Sequence, residues 1–283
     1  MIKLTTAAAA LLFSTVLTPV LAQATGFEIL KPHRAVYEVT LNEAEDRSGI
    51  KGMQGRIVYE VQGNACDGMS VRYRFVTRIN TGRDFFVTDQ QTATHESADG
   101  NEFTFQTKSF VNDQPDQNIT GFALRQDNGL KVQLTNPKPN EGDKKELILE
   151  DGLFTSAHLL EILKMARNGQ AFASHTVFDG SGEADKVLNS ASVIGKPKVV
   201  NEVLKGESAE SVDAFQGREA WPVTMSYFNK TSDNTAEGLP IYEASFLLYE
   251  DGITRQLQMR YPDYSLNASL SEIEYYDTKA CDN

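Results

Sequence analysis

The stretch MSVRYRFVTRINT, residues 69–81, decides the fold class. Met69, Val71, Tyr73, Phe75 and Ile79 share one phase of a period of two; Ser70, Arg72, Arg74, Arg78 and Asn80 share the other. Successive side chains of a strand point to opposite faces, so this pattern is a strand with one buried and one wet face. A helix would space its apolar residues three and four apart.

Working outward, the same alternation runs through HRAVYEVTL (33–41), RIVYEV (56–61), NEFTFQTKSFV (101–111), GFALRQ (121–126) and GLKVQL (129–134). Asp127-Asn128-Gly129 and Glu250-Asp251-Gly252 sit between alternating runs, and such residues tolerate the positive φ of tight hairpin turns. Downstream, IYEASFLLYE, ITRQLQMRY and SLNASLSEIEYYD read as a meander. In the last run Leu266, Ala268 and Leu270 share a phase that Ile273 and Tyr275 leave, so a bulge near Ser271–Glu272 is expected. The expectation is about fourteen strands between residues 33 and 277.

One segment breaks the pattern. In TSAHLLEILKMARNG, residues 155–169, Leu159, Ile162, Leu163 and Ala166 form a stripe at helical spacing, widened by Leu160 and Met165. Thr155 or Ser156 is the expected cap, and Asn168-Gly169 the stop. So broad an apolar face needs a broad partner, which a curved sheet wrapped around the helix supplies. The fold class is therefore mainly β: one antiparallel, barrel-like open shell enclosing an amphipathic helix over about 155–168. The loop 196–219 is expected to hold one short strand near Val199–Leu204.

The chain opens with Lys3, an apolar run from Ala7 to Leu17, Pro19, and small residues at Ala22 and Ala24. That is a secretory signal pattern, too short to span a bilayer as an ordinary helix. The expected organisation is a signal peptide over 1–24 and a single domain over 25–283, soluble outside the cytoplasm with no membrane span after cleavage. Hydrophobic residues at 40% and charged residues at 23% suit a globular domain. The net charge of −12 opposes nucleic acid or an anionic membrane surface as a partner by bulk electrostatics.

Export bears on the two cysteines, Cys66 in QGNACDG and Cys281 in KACDN. An oxidising compartment favours a disulfide from a lone pair. The competing reading, a reactive thiol, wants a neighbouring base or a CxxC partner, and neither stands nearby in the sequence. A zinc site is a poorer fit, with no histidine pair beside them.

The search for catalysis is mostly negative. There is no GxSxG elbow, HExxH or P-loop. His33, His95, His158 and His175 are not spaced to share a metal. His33 reads as a hydrogen-bonded structural residue, His158 as part of the helix's entry into the core, and His95 and His175 are uninformative. FDGSGEAD (178–185) lacks the acidic spacing of a calcium loop and reads as a turn. No catalytic residue, metal ligand or cofactor is expected. Arg72, Arg74 and Arg78 on one strand face are a candidate surface for an anionic ligand or partner, against a solvated face paired with acidic neighbours. Trp221 is a candidate pocket aromatic, against an ordinary core or rim residue.

Taken in order, the export signal, HRAVYEVTL, the cysteine in an early hairpin, TSAHLLEILKMARNGQAF, FDGSG and the C-terminal YEDG…YPDYSLNASL…Cys resemble the EipB-like cell-envelope integrity proteins over about residues 27–283. The resemblance implies a many-stranded antiparallel β-spiral around a helix and a disulfide that falls on Cys66 and Cys281. It implies a periplasmic role in envelope integrity without established enzymatic activity, and a shape similar to periplasmic lipoprotein carriers. The expected partner is a periplasmic protein or an envelope component, lipid included. The readings carried forward are a binding protein, a carrier of a lipid or lipoprotein acyl chain, and a hydrolase of an envelope polymer.

Overall fold

The computed structural model describes residues 26–135, 144–229, 238–278 and 281. The signal peptide read over residues 1–24 lies outside these, as do most of the loops at 137–144 and 229–240.

The strands are β1 (His33–Ala44), β2 (Gly52–Asn64), β3 (Gly68–Asn80), β4 (Phe85–Glu96), β5 (Glu102–Val111), β6 (Gln114–Gln126), β7 (Gly129–Thr135) and β8 (Lys144–Leu149). After helix α1 (Thr155–Arg167) come β9 (Phe172–Val177), β10 (Leu188–Ile194), β11 (Lys198–Val199), helix α2 (Ala209–Asp213), β12 (Glu219–Asn229), β13 (Tyr242–Tyr249), β14 (Thr254–Arg260) and β15 (Tyr264–Tyr275). All fifteen strands join one antiparallel sheet, ordered β8-β7-β6-β5-β4-β3-β2-β1-β15-β14-β13-β12-β10-β9, with β11 beside β12. The first and last strands thus pair in the middle of the sheet, and the two free edges lie next to α1 in the sequence.

The decisive stretch is β3, paired in register with β2 and β4 along its length. Its apolar phase turns inward: Met69 and Phe75 are buried, whereas Arg72, Arg74 and Arg78 are exposed. The anticipated bulge is present, because the β1–β15 register slips between Val36↔Glu272 and Tyr37↔Leu270 and leaves Ser271 unpaired. A second irregularity interrupts the β13–β14 register between Ser245 and Leu247. Close packing dictates one glycine. A Cβ on Gly121 of β6 would stand 2.1 Å from the Phe105 ring, so only glycine lets that ring lie flat on the strand.

β8 and β9 do not pair, and the sheet remains open between them. An isolated bridge between Leu153 and Val177 crosses this seam. Packing does more there than hydrogen bonding. Phe154 stacks on Phe103 at 4.8 Å, and Phe178 meets Phe103 and Phe105 edge-on at 6.1 and 5.7 Å. FDGSGEAD is accordingly a turn, with Ser181 N–H donating to Asp179 Oδ1 at 2.9 Å, and its Phe178 plugs the core.

α1 is buried on more than one side. Leu160, Ile162, Leu163 and Ala166 pack against Val61, Met69, Val223, Phe246 and Leu248 of the sheet and against Phe27 and Leu30. Gly169, at φ +70°, ends the helix in the left-handed conformation. The cap differs from expectation. The N-cap is Phe154, which has no acceptor side chain, and Thr155 Oγ1 has no hydrogen-bond partner among the described residues. Glu96, at the end of β4, instead accepts from the amides of Ser156 and Ala157 at 2.9 and 3.3 Å. A carboxylate at a helix N-terminus offsets both orphan amides and the helix dipole.

The loop 196–219 holds the short β11, as anticipated near Val199, and also the unanticipated α2. Ser208 caps α2 by accepting from Ser211 N–H at 3.1 Å. Cys66 and Cys281 are joined, with Cα atoms 5.8 Å apart, tying the β2–β3 turn to the last described residue. That turn is shaped by Asn64 Oδ1, which accepts from the amides of Cys66 and Asp67.

Candidate functional site

Sheet register places the candidate residues. Arg74 of β3 lies in a row with Val58, Gln91 and Lys108, and Arg72 in the next row with Glu60, Ala93 and Gln106. Together they line a shallow cleft of about 350 Å³ on the polar face. The small Ala93 side chain leaves the dip between longer neighbours. Arg74 is committed to Asp89, through Nε–Oδ1 at 3.0 Å and Nη2–Oδ2 at 2.8 Å. That bidentate guanidinium holds the Asp89 carboxyl below its usual range. Arg72 reaches Glu60 only at 3.8 Å, and Arg78 lies apart with its guanidinium 4.2 Å over the Phe85 ring. The face thus carries acidic cross-strand partners for Arg72 and Arg74. Trp221 is half-buried and packs into the cluster around α1, far along the sheet from the arginines.

A second site emerges only in three dimensions. His175 of β9, Ser190 of β10, Tyr227 of β12 and Tyr242 of β13 form one row across the sheet. His158 of α1 faces this row, its ring 5.3 Å from His175 and 6.2 Å from Tyr227, both edge-on. His158 is 4% exposed. Among the described residues its Nε2, His175 Nδ1 and Ser190 Oγ have no hydrogen-bond partner, and neither does Glu96 Oε1 at the start of the helix. Burial, with a smaller contribution from His175, pulls the His158 pKa down to about 4. Burial drives Glu96 the other way, to about 7, against the pull of the Ser156 and Ala157 amides. Desolvation disfavours whichever form is charged, which explains the opposite signs.

This polar cell adjoins the open seam. A cleft of about 330 Å³ there is lined by Arg125, Asp151, Gly152, Glu161, His175 and Thr176, with Leu153. Arg125 is ion-paired to Asp151, donates to Gly152 O at 3.0 Å and lies 5.1 Å over the Phe154 ring.

From Tyr227 an aromatic run continues along the inner wall. Tyr227 stacks with Tyr242 at 5.9 Å, Tyr242 meets Tyr261 at 5.1 Å, and Tyr261 stacks with Tyr264 at 4.8 Å. Tyr59 and Tyr242 pack against both the α1 cluster and the cluster under β1, β2 and β15. All these rings are only partly buried. Burial raises the phenol pKa values of Tyr73, Tyr227 and Tyr261, so they remain protonated donors at neutral pH.

The other histidines have local explanations. His33 is buried with Nδ1 2.7 Å from Lys31 O, and burial lowers its pKa. His95 Nδ1 lies 3.0 Å from Ser70 Oγ on the polar face, but no hydrogen bond joins this pair to a carboxylate among the described residues. Nor do the described residues place three or more His, Cys, Asp or Glu to hold a metal. No helix among them is long and apolar enough to cross a membrane.

Sequence reasoning read His158 only as part of the helix's entry into the core, found His175 uninformative, and did not single out Ser190 or Glu96. The only available signal was a histidine on the broad helix stripe; the rest depends on which strands become neighbours.

The comparisons with known proteins agree with this architecture. The family model described as EipB-like matches residues 24–277. The chain is 39% identical over 250 residues to the cell envelope integrity protein EipB of Brucella abortus, covering 88% of this chain and 85% of that one. The crystal structure of a beta-barrel-like protein of a domain of unknown function from Brucella abortus superposes with a TM-score of 0.79 at 38% identity. The match spans 88% of this chain and 99% of that one. The chain belongs to the EipB-like family.

Proposed function

We propose that this protein supports cell-envelope integrity from the periplasm by binding a protein or an envelope component, without catalysing a reaction. The relative that is 39% identical bears the name of that role. A periplasmic setting suits the Cys66–Cys281 bridge, since such bonds persist in oxidising compartments. The observation that carries the binding reading is the partly uncovered run from Tyr227 to Tyr264 on the inner wall of an unclosed sheet. Aromatic side chains with a polar tip are suited to grip a partner with apolar and hydrogen-bonding parts.

A second reading, carriage of a lipid or lipoprotein acyl chain, draws on the same wall, where partly buried Val71, Met225 and Leu257 accompany the tyrosines. Ile162 and Leu163 are fully buried and fill the space beside α1, so a chain would lie along the tyrosines. Hydrolysis of an envelope polymer has the least support, since Ser70–His95 lacks an orienting carboxylate.

Native mass spectrometry of protein purified from periplasm tests this. The expected result is a bound mass, or a cross-linked protein, that is lost in Tyr242→Ala and Tyr261→Ala. A lipid mass selects the carrier. Bare protein with no cross-linked partner overturns the proposal.

A further inference from the structure

The tips of two neighbouring hairpins form an exposed apolar end that the envelope-binding reading does not use. Residues 82–87 (GRDFFV) at the β3–β4 tip and 111–116 at the β5–β6 tip are all exposed. Phe85 is 54%, Phe86 38%, Val87 39% and Val111 38% exposed. Phe85 and Val87 point to one side of β4 and Phe86 to the other, because strand side chains alternate. Exposure on both sides means that the hairpin projects beyond the body of the sheet.

The two tips are fastened to each other. Asn112 N–H donates to Val87 O at 2.8 Å, and Val87 N–H donates to Asn112 Oδ1 at 2.9 Å. The β3–β4 turn is ordered by Gly82 N–H donating to Asn80 Oδ1 at 2.7 Å and Thr81 N–H donating to Asp84 O at 3.0 Å. These bonds satisfy part of the projecting backbone, which lowers the cost of its entry into an apolar medium.

Around the phenylalanines stand three cations. Arg78 covers the Phe85 ring, Arg83 occupies the turn, and Lys51 lies beside Gly82. None of the three is in an ion pair among the described residues. Asp84, Asp113 and Asp116 stand on the same two tips as counter-charges to them, on a chain of net charge −12. More distant carboxylates are screened beyond about 8 Å at physiological salt.

We infer that this end docks peripherally on a phospholipid bilayer, with Phe85, Phe86 and Val87 entering the interface and Arg78 and Arg83 meeting lipid phosphates. A protein surface covers one side of a hairpin; a bilayer surrounds both. Phenylalanine without a polar handle, flanked by arginine, matches the boundary between headgroups and acyl chains. The inference is independent of what the inner wall binds.

Flotation with phosphatidylethanolamine–phosphatidylglycerol vesicles tests it. The full folded protein should float with the vesicles, and the double variant F85S/F86S should bind at least about tenfold more weakly. Its melting temperature should be unchanged, since both side chains are exposed. Arg83→Glu should weaken binding by a smaller factor. Phe172→Ser is the control, because Phe172 on edge strand β9 is 72% exposed but lies away from the tips. Failure of the unaltered protein to float overturns the inference, and so does an equal loss in Phe172→Ser or undiminished binding by F85S/F86S. None of these outcomes bears on the periplasmic mass-spectrometry result.

Discussion

Two buried polar centres in this molecule are built to opposite standards. Arg255 of β14 is fully buried, and its five donors are all used. They reach Glu207 Oε1 and Oε2 at 3.0 and 2.6 Å, Val200 O and Tyr249 Oη at 3.0 Å each, and Glu202 O at 3.2 Å. This network clamps the segment between β11 and α2 onto the sheet. At the start of α1 the opposite holds. Glu96, Thr155, His158, His175 and Ser190 each keep a buried atom without a hydrogen-bond partner among the described residues. A completed network fixes shape; an incomplete one keeps the capacity to titrate or to accept a ligand. The second centre also borders the open seam and the tyrosine run, where the proposed function resides.

The largest effect that can break this contrast is Arg255→Leu. Glu207 would be left buried and uncompensated, and the loss should be about 3–5 kcal/mol by urea denaturation. A loss below about 1 kcal/mol would end the reading of Arg255 as a clamp. Next comes Cys281→Ser, outside both centres. Opening a 215-residue loop should cost about 2–4 kcal/mol, chiefly by freeing the unfolded chain, with strand content unchanged by circular dichroism. Thiol titration of the unreduced, denatured parent should find no free cysteine.

The pH response sharpens the contrast further. Glu96 is raised from 4.5 to about 7, so the folded form holds the extra proton in that window and stability falls as pH rises. His158 is lowered from 6.5 to about 4, so the unfolded form holds the extra proton there and stability is lost as pH falls. Between pH 4.5 and 6.5 the two slopes oppose each other, while His33, whose pKa burial also lowers, adds to the loss of stability as pH falls below 6.5. Glu96→Gln should lose about 2 kcal/mol on acidification across this range, and His158→Gln should gain a similar amount. Melts at several pH values showing the same slope in both variants would refute the assignment. Smallest is Arg72→Ala, on an exposed side chain with one long contact, which should move stability by less than about 0.5 kcal/mol.

Much of the fold was legible because strand periodicity is local. The alternation in residues 69–81 identified β3 and its faces, the phase change near Ser271 located a real bulge, and the stripe at Leu159–Ala166 identified α1. The cap on α1 was misassigned to Thr155 or Ser156, since Glu96 reaches it from a strand sixty residues upstream of Ser156. α2 was missed because five residues offer too little periodicity to see. Nothing in the sequence singled out Arg255 within ITRQLQMRY or Ser190 in its strand, and His175 was uninformative. Periodicity says which way a side chain points; it does not say which strands become neighbours. The polar cell depends entirely on the neighbours.

The pairing of β1 with β15 carries a consequence for assembly. A ribosome makes β1 early and β15 last, so the hydrogen-bonding edge of β1 stays vacant until nearly the whole polypeptide exists. Hairpins β2 to β8 are available for local zippering in the meantime, but the wall that buries Ala35, Tyr37 and Val39 against Ala268 and Leu270 is not. Truncation before Tyr264, which removes all of β15, therefore opens the middle of the sheet, and the half-built intermediate presents a long unshielded edge that needs guarding from self-association.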